Sequence, residues 1–162
     1  MSYRCSLFYM PNLSKLIATF FGLGYMPIAP GTFGALGGLL ISFMLMRLGV
    51  DFSTFQYLHI FLIISAFGAG VYACNQLKSE WGHDPSKVVI DETMGYWISI
   101  LFLPINLNIL LAGFVLFRAF DIVKPFGIKK IDQSHTSYSV MLDDVVAGIY
   151  ANIVLQIVVY FL

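Results

Sequence analysis

An all-α bundle of about five to six helices embedded in a membrane is the fold class this sequence predicts, and three observations predict it. The 162 residues are 59% apolar and only 11% charged, where a soluble domain carries about 25% charge. Long apolar segments recur along the whole chain, separated by short polar loops. Counted across successive crossings, those loops fall on one side. The chain's own polar groups cannot cover so much apolar surface, so lipid or an oligomer must cover part of it. The length suits one domain, 1–162. A formal net charge of zero gives no general attraction to nucleic acid. Cys5 and Cys74 form no metal or redox spacing. The N-terminus, MSYRCSLFYMPNLSK, has no long apolar core followed by a small-residue cleavage site, so no removable signal peptide is expected.

The elements follow in order. Residues 12–21 are apolar but too short to span and read as a buried or interfacial helix. Residues 22–33, GLGYMPIAPGTF, hold three glycines and two prolines and read as an ordered loop. Residues 34–50 are a minimal span, with Gly34, Gly38 and Ser42 four apart for close approach of a neighbouring backbone. After a turn at 50–56, residues 57–77 form a second span, with Ala66 and Gly70 repeating that spacing. Residues 78–92 form a polar loop ending in two acids. Two short apolar arms, 93–103 and 109–117, make a helical hairpin around 104–108. A charge-rich segment, 118–144, leads to a final apolar helix from Val145 to Leu162, with Ala147 and Ala151 four apart. These small-residue stripes allow a homo-oligomer and serve intrachain packing equally well.

Starting from the loop at 22–33, each pair of crossings returns the chain to the same side. The segments 22–33, 78–92 and 118–144 therefore converge on one face. Eight of the nine lysines and arginines share it, namely Arg4, Lys15, Lys78, Lys87, Arg118, Lys124, Lys129 and Lys130, and only Arg47 lies towards the other. The excess of positive charge on cytoplasmic loops places that face in the cytoplasm.

The acids are paired, Asp91-Glu92 and Asp143-Asp144, each where a polar loop enters an apolar helix. N-capping accounts for such a pair alone. Two pairs on one face at a membrane boundary repel each other unless a cation sits among them, and Mg²⁺ prefers hard oxygen donors of this kind. Arg118, Asp121 and Lys124 fall within an arc of about 120° on a helix. That arrangement reads either as an intrahelical ion pair of little worth or as an arginine fork and a lysine holding a phosphate, with Asp121 facing the metal. The glycine loop can bring backbone N–H groups against a ligand, with Gly31 and Thr32 as candidate contacts and Thr32 as a cap for the following helix; a plain connector is the other reading. His83 and Asp84 read as supporting or surface groups, His59 as a core or interfacial residue and His135 as exposed. No Cys-x5-Arg loop, Asp-x-Asp signature or Asp-Gly-x2-Ala-Arg block occurs.

Four stretches in order, GLGYMPIAPGTFGAL (22–36), VIDETMGYW (89–97), FRAFDI (117–122) with Lys124-Pro125, and MLDDVVAG (141–148), resemble the phosphatidylglycerophosphatase A family. The resemblance runs from about residue 12 to the end. It departs at Ala35, where a serine is common, and at Ser134–Ser139, where glycines are. It implies an all-helical enzyme of the bacterial inner membrane that uses Mg²⁺ to remove the terminal phosphate of phosphatidylglycerophosphate. By position it implies Asp91, Glu92, Asp143 and Asp144 as the essential acids, with Asp121, Arg118 and Lys124 beside them.

On this reading the acids hold Mg²⁺, one carboxylate takes a proton from the attacking water, and Arg118 and Lys124 stabilise the phosphoryl oxygens. The lipid substrate stays in the bilayer. A small cation-coupled carrier using the same acids is the alternative, and it predicts acids near the midplane and polar residues on both faces. A membrane-embedded assembly subunit, indifferent to Asp/Asn and Glu/Gln exchange, is a third.

Overall fold

The computed structural model describes residues 11–82, 85–125 and 137–161. Arg4, Cys5, His83, Asp84, Lys129, Lys130 and His135 lie outside the described residues. Among those described there are six α-helices, one 3-10 turn and no strand. They are α1 (Pro11–Ala18), the turn Leu23–Tyr25, α2 (Pro30–Arg47), α3 (Phe52–Trp81), α4 (Ile90–Ser99), α5 (Leu107–Val123) and α6 (Ser137–Phe161). Among the described residues three segments are long and apolar enough to cross a membrane: Pro30–Arg47, Phe52–Trp81 and Met141–Phe161.

Helix α2 starts inside the expected loop because proline is pre-set for a first helical position. Its N-cap is Ala29, in the left-handed region at φ 50°, with no side-chain cap. Thr32 therefore lies in the first turn of α2 and caps nothing, contrary to expectation. Asp51 caps α3, its Oδ2 accepting the Thr54 N–H at 3.0 Å. This helix runs to Trp81, about 45 Å, so Lys78 to Trp81 are helical rather than loop. Asn106 caps α5 by accepting the Ile109 N–H at 2.9 Å. Helix α6 starts at Ser137, eight residues before the apolar run does, so Asp143 and Asp144 are helical and buried rather than part of a polar loop.

The largest departure from expectation is α4. Its helix stops at Ser99, not 103, and at ten residues is about 15 Å long, half a bilayer core. It is also the centre of the molecule, packed against α2, α3, α5 and α6. Nine of its ten residues are buried, all but Glu92. The small-residue stripes serve this helix. Gly34, Gly38, Ser42, Ala66 and Gly70 are buried, and Ala147 and Ala151 are fully so. A Cβ on Gly148 would run into the Gly95 carbonyl, so α6 and α4 cross backbone to backbone. Helix α1 lies along the polar-end half of α3, tied there by Lys15–Glu80 at 2.5 Å.

Candidate active site

The acid-bearing turn of α4 is fixed from two sides. The Val89 N–H donates to the Ala18 carbonyl at 2.8 Å, and Thr93 Oγ1 donates to the Gly34 carbonyl at 2.8 Å. Val89, the N-cap residue, offers this turn no side-chain acceptor. Asp91 Oδ1 accepts the Glu92 N–H at 3.1 Å, and the positive end of the helix favours both acids. Capping thus explains part of Asp91-Glu92. It does not explain Asp143 and Asp144, which lie two turns inside α6 and are both buried.

Helix α5 supplies the cations. Arg118 and Asp121 form an ion pair one turn apart. Lys124 is not on the helix face expected for it. It is the C-cap, left-handed at φ 46°, with its N–H on the Phe120 carbonyl. Its Nζ lies 2.6 Å from Asp143 Oδ2 on α6. A left-handed non-glycine residue carries a conformational cost of about 1–3 kcal/mol, and such residues cluster at functional sites.

Ser86, Asp91, Glu92, Asp121, Lys124, Asp143 and Asp144 line one cavity of about 230 Å³. Three segments far apart in sequence meet here. Gly31 joins them from α2, since a Cβ on it would collide with Glu92 Oε1 and crowd Arg118. No larger residue permits that approach. Thr32 does not line the cavity. Ser86 does, and it sits in the polar loop without any motif to mark it. His59 is a core residue: its Nδ1 donates to the Phe55 carbonyl at 2.8 Å, leaving Nε2 to accept from Ser42 Oγ at 2.8 Å.

Five carboxylates face two cations here, so full ionisation leaves a deficit of positive charge. Burial, then the neighbouring charge of Asp91 and its hydrogen bond, push the Glu92 carboxyl well above the usual carboxylate range, with Asp144 and Asp121 adding to the effect. Glu92 Oε2, Asp144 Oδ1 and Arg118 Nε are buried without a hydrogen-bond partner. Orphaned polar atoms of this kind cost about 1–3 kcal/mol each. One oxygen each from Asp91, Glu92 and Asp144 lies within 4.8 Å of the others. Asp121 and Asp143 are instead engaged by Arg118 and Lys124. The set suits a hard divalent cation held by three carboxylates and an anionic ligand met by Arg118 and Lys124.

The family model for phosphatidylglycerophosphatase A matches residues 16–159. A protein of Bacteroides thetaiotaomicron, provisionally named phosphatidylinositol-3-phosphatase, is 43% identical over 148 residues, which are 90% of this chain and 92% of that relative. Phosphatidylglycerophosphatase A of Haemophilus influenzae is 39% identical over 157 residues, 93% of this chain and 91% of the relative. The Escherichia coli protein of that name is 36% identical over 143 residues, 86% and 80% of the two chains. No solved structure matches. With a family match across nearly the whole chain and relatives aligned along most of their length, this membrane-type helical protein belongs to the phosphatidylglycerophosphatase A family.

Proposed function

We propose that the protein hydrolyses the terminal phosphomonoester of phosphatidylglycerophosphate, giving phosphatidylglycerol and phosphate, at the cytoplasmic face of a bacterial inner membrane. The observation that carries this reading is the convergence of acids from α4 and α6 with Asp121 and Lys124 of α5 around one cavity, Arg118 pairing with Asp121 beside it, in a chain whose relatives bear that name. The bias of lysine and arginine towards the acid-bearing side supports a cytoplasmic site.

Mg²⁺ is the proposed cofactor. The donor set is all oxygen, and two of its atoms are orphaned. Asp91, Glu92 and Asp144 would hold the ion, which when bound neutralises phosphate charge and acidifies water. The protein's own groups do the rest. Arg118 presents a planar fork to two phosphoryl oxygens, and Lys124 adds a point charge. Asp121 and Asp143 keep those cations aimed at the cavity until the phosphate competes for them. A carboxylate of the cluster accepts the proton of the attacking water as the P–O bond to glycerol breaks. The acyl chains remain in the bilayer.

A second reading rests on the relative named for phosphatidylinositol 3-phosphate. That lipid is also a phosphomonoester on a polyol headgroup, so the same cavity chemistry applies. Phosphate release from phosphatidylglycerophosphate, phosphatidylinositol 3-phosphate, phosphatidic acid and a soluble phosphomonoester, each with Mg²⁺ and with EDTA, separates the readings. Mg²⁺-dependent release from the first lipid is expected. Release from the inositol lipid alone would move the substrate to the second reading, and no release from any of them by folded protein would sink both.

A further inference from the structure

Away from the acids, α1 and α3 enclose an apolar groove of about 290 Å³, walled by Leu13, Leu16 and Ile17 on one side and Ala66 and Ala69 on the other, with Trp97 of α4 also in its lining. Leu16 also lines a second cavity of about 210 Å³, with Lys15, Thr19, Gly22 and Tyr25. The two spaces thus share a wall, the first apolar and the second of mixed lining. Beside the second, Lys15 Nζ lies 5.9 Å from the centre of the Trp81 ring and Lys87 Nζ 5.7 Å from it. Lys87 Nζ is also 5.9 Å from the Tyr25 ring, and the two rings meet edge to face at 6.4 Å. Glu80 pairs with Lys15, so among the described residues of the cluster two lysines face one acid. None of the acids of the other cavity lines either space. The connector before α4 divides them, with Ser86 on the acid cavity and Lys87 against the rings.

We infer that an anionic phospholipid docks on this side of the protein, one acyl chain in the groove between α1 and α3 and its phosphate against Lys15 and Lys87. The occupant comes from the bilayer because the groove lies on the surface that α3 offers to it. Leu13 and Leu16, which wall the groove, are 49% and 45% exposed, and Phe21, which also lines it, is 75% exposed. The lysines stand at the polar end of α3, where a headgroup layer meets a spanning helix, and Trp and Tyr belong at that level. A net cation there complements a phosphodiester and gives no advantage to a zwitterionic lipid. The site is separate from turnover and does not depend on which phosphomonoester the acids cleave.

The chain's two tryptophans border the site, Trp81 by the lysines and Trp97 in the groove, which makes quenching by acyl-brominated lipids a direct test. In a Trp81→Phe protein reconstituted in mixed micelles, Trp97 reports alone. Brominated phosphatidylserine should quench it at about fivefold lower mole fraction than brominated phosphatidylcholine, the weight of one cation near an anionic lipid surface. Lys15→Gln with Lys87→Gln should erase that preference. Ala69→Phe, or the milder Ser65→Leu on the same wall, should reduce quenching by both lipids. Asp144→Asn should leave the preference intact. Equal quenching by the two lipids, a preference that survives loss of both lysines, or a preference abolished by Asp144→Asn would each overturn the inference.

Discussion

The two ends of α4 are both buried in the bundle and both polar, yet they are built in opposite ways. At the C-terminal end the polar groups are neutral and mostly matched, with Gln56 Nε2 left buried without a partner. Asn152 Nδ2 donates to the Ser99 and Leu101 carbonyls at 3.1 and 2.8 Å, and Gln156 Nε2 donates to the Leu101 and Phe102 carbonyls at 3.2 and 3.3 Å. Gln56 Oε1 accepts the Phe102 N–H at 2.9 Å. Three amide side chains from two helices thus finish a helix that ends inside the bundle. At the N-terminal end the groups are charged and unmatched, with carboxylates in excess and three buried atoms left without partners. The first end follows, but for one amide nitrogen, the rule that buried polar groups are satisfied. The second breaks it, and the excess negative charge there is what a cation can neutralise, leaving Arg118 and Lys124 to meet a phosphate.

Asp144→Asn tests the contrast most strongly. Turnover should fall on the order of 10²–10³-fold, while metal-free thermal stability stays level or rises, because a buried like charge is gone. A protein that turned over at the parental rate would remove the acid end from the chemistry. Gly31→Ala should come next, pushing Glu92 and Arg118 apart. A displacement of about 1 Å costs roughly 10²-fold in rate, read as a loss in kcat with little change in melting temperature. Asn152→Leu should behave in reverse. It orphans carbonyls at the quiet end and should cost about 1–3 kcal/mol of stability, measured by denaturation in micelles, with activity per folded molecule unchanged. The smallest effect belongs to Asp51, the solvent-exposed N-cap of α3. Hydrogen bonds from the Thr54 N–H and hydroxyl hold its carboxyl below the ordinary 3.8. Its folded pKa is depressed, so its contribution is present above that ordinary value and fades as pH falls through the folded one. Asp51→Ala should therefore lower the melting temperature slightly at neutral pH, with the difference from the parent shrinking in acid and turnover unaffected.

Much of the acid end was legible in the sequence. Counting apolar crossings was enough to bring Asp91, Glu92, Asp121 and Asp144 together, because membrane segments have few topologies. The small-residue stripes also announced a tightly held neighbour, though not that the neighbour is α4 of the same chain. Local backbone geometry was harder to read. Lys124 is aimed by a left-handed C-cap that no helical wheel contains, and Thr32 lost its capping role to the proline two residues earlier. The amide end was missed altogether. Asn152 and Gln156 stand four apart on an otherwise apolar helix, a spacing that puts both on one face. That face has meaning only once a helix terminus is known to lie against it.

The brevity of α4 also bears on how the protein enters a membrane. A segment of ten residues carrying two acids is far below the roughly 20 apolar residues that insert on their own. Helices α2 and α3 can partition into lipid as soon as they are made. Helix α4 has no such route and needs the grooves of α2 and α3 waiting for it. The carbonyls at its far end stay bare until α6, which follows it in the chain, delivers Asn152 and Gln156. A chain truncated before α6 would therefore hold a half-buried helix whose terminal carbonyls lack the Asn152 and Gln156 donors.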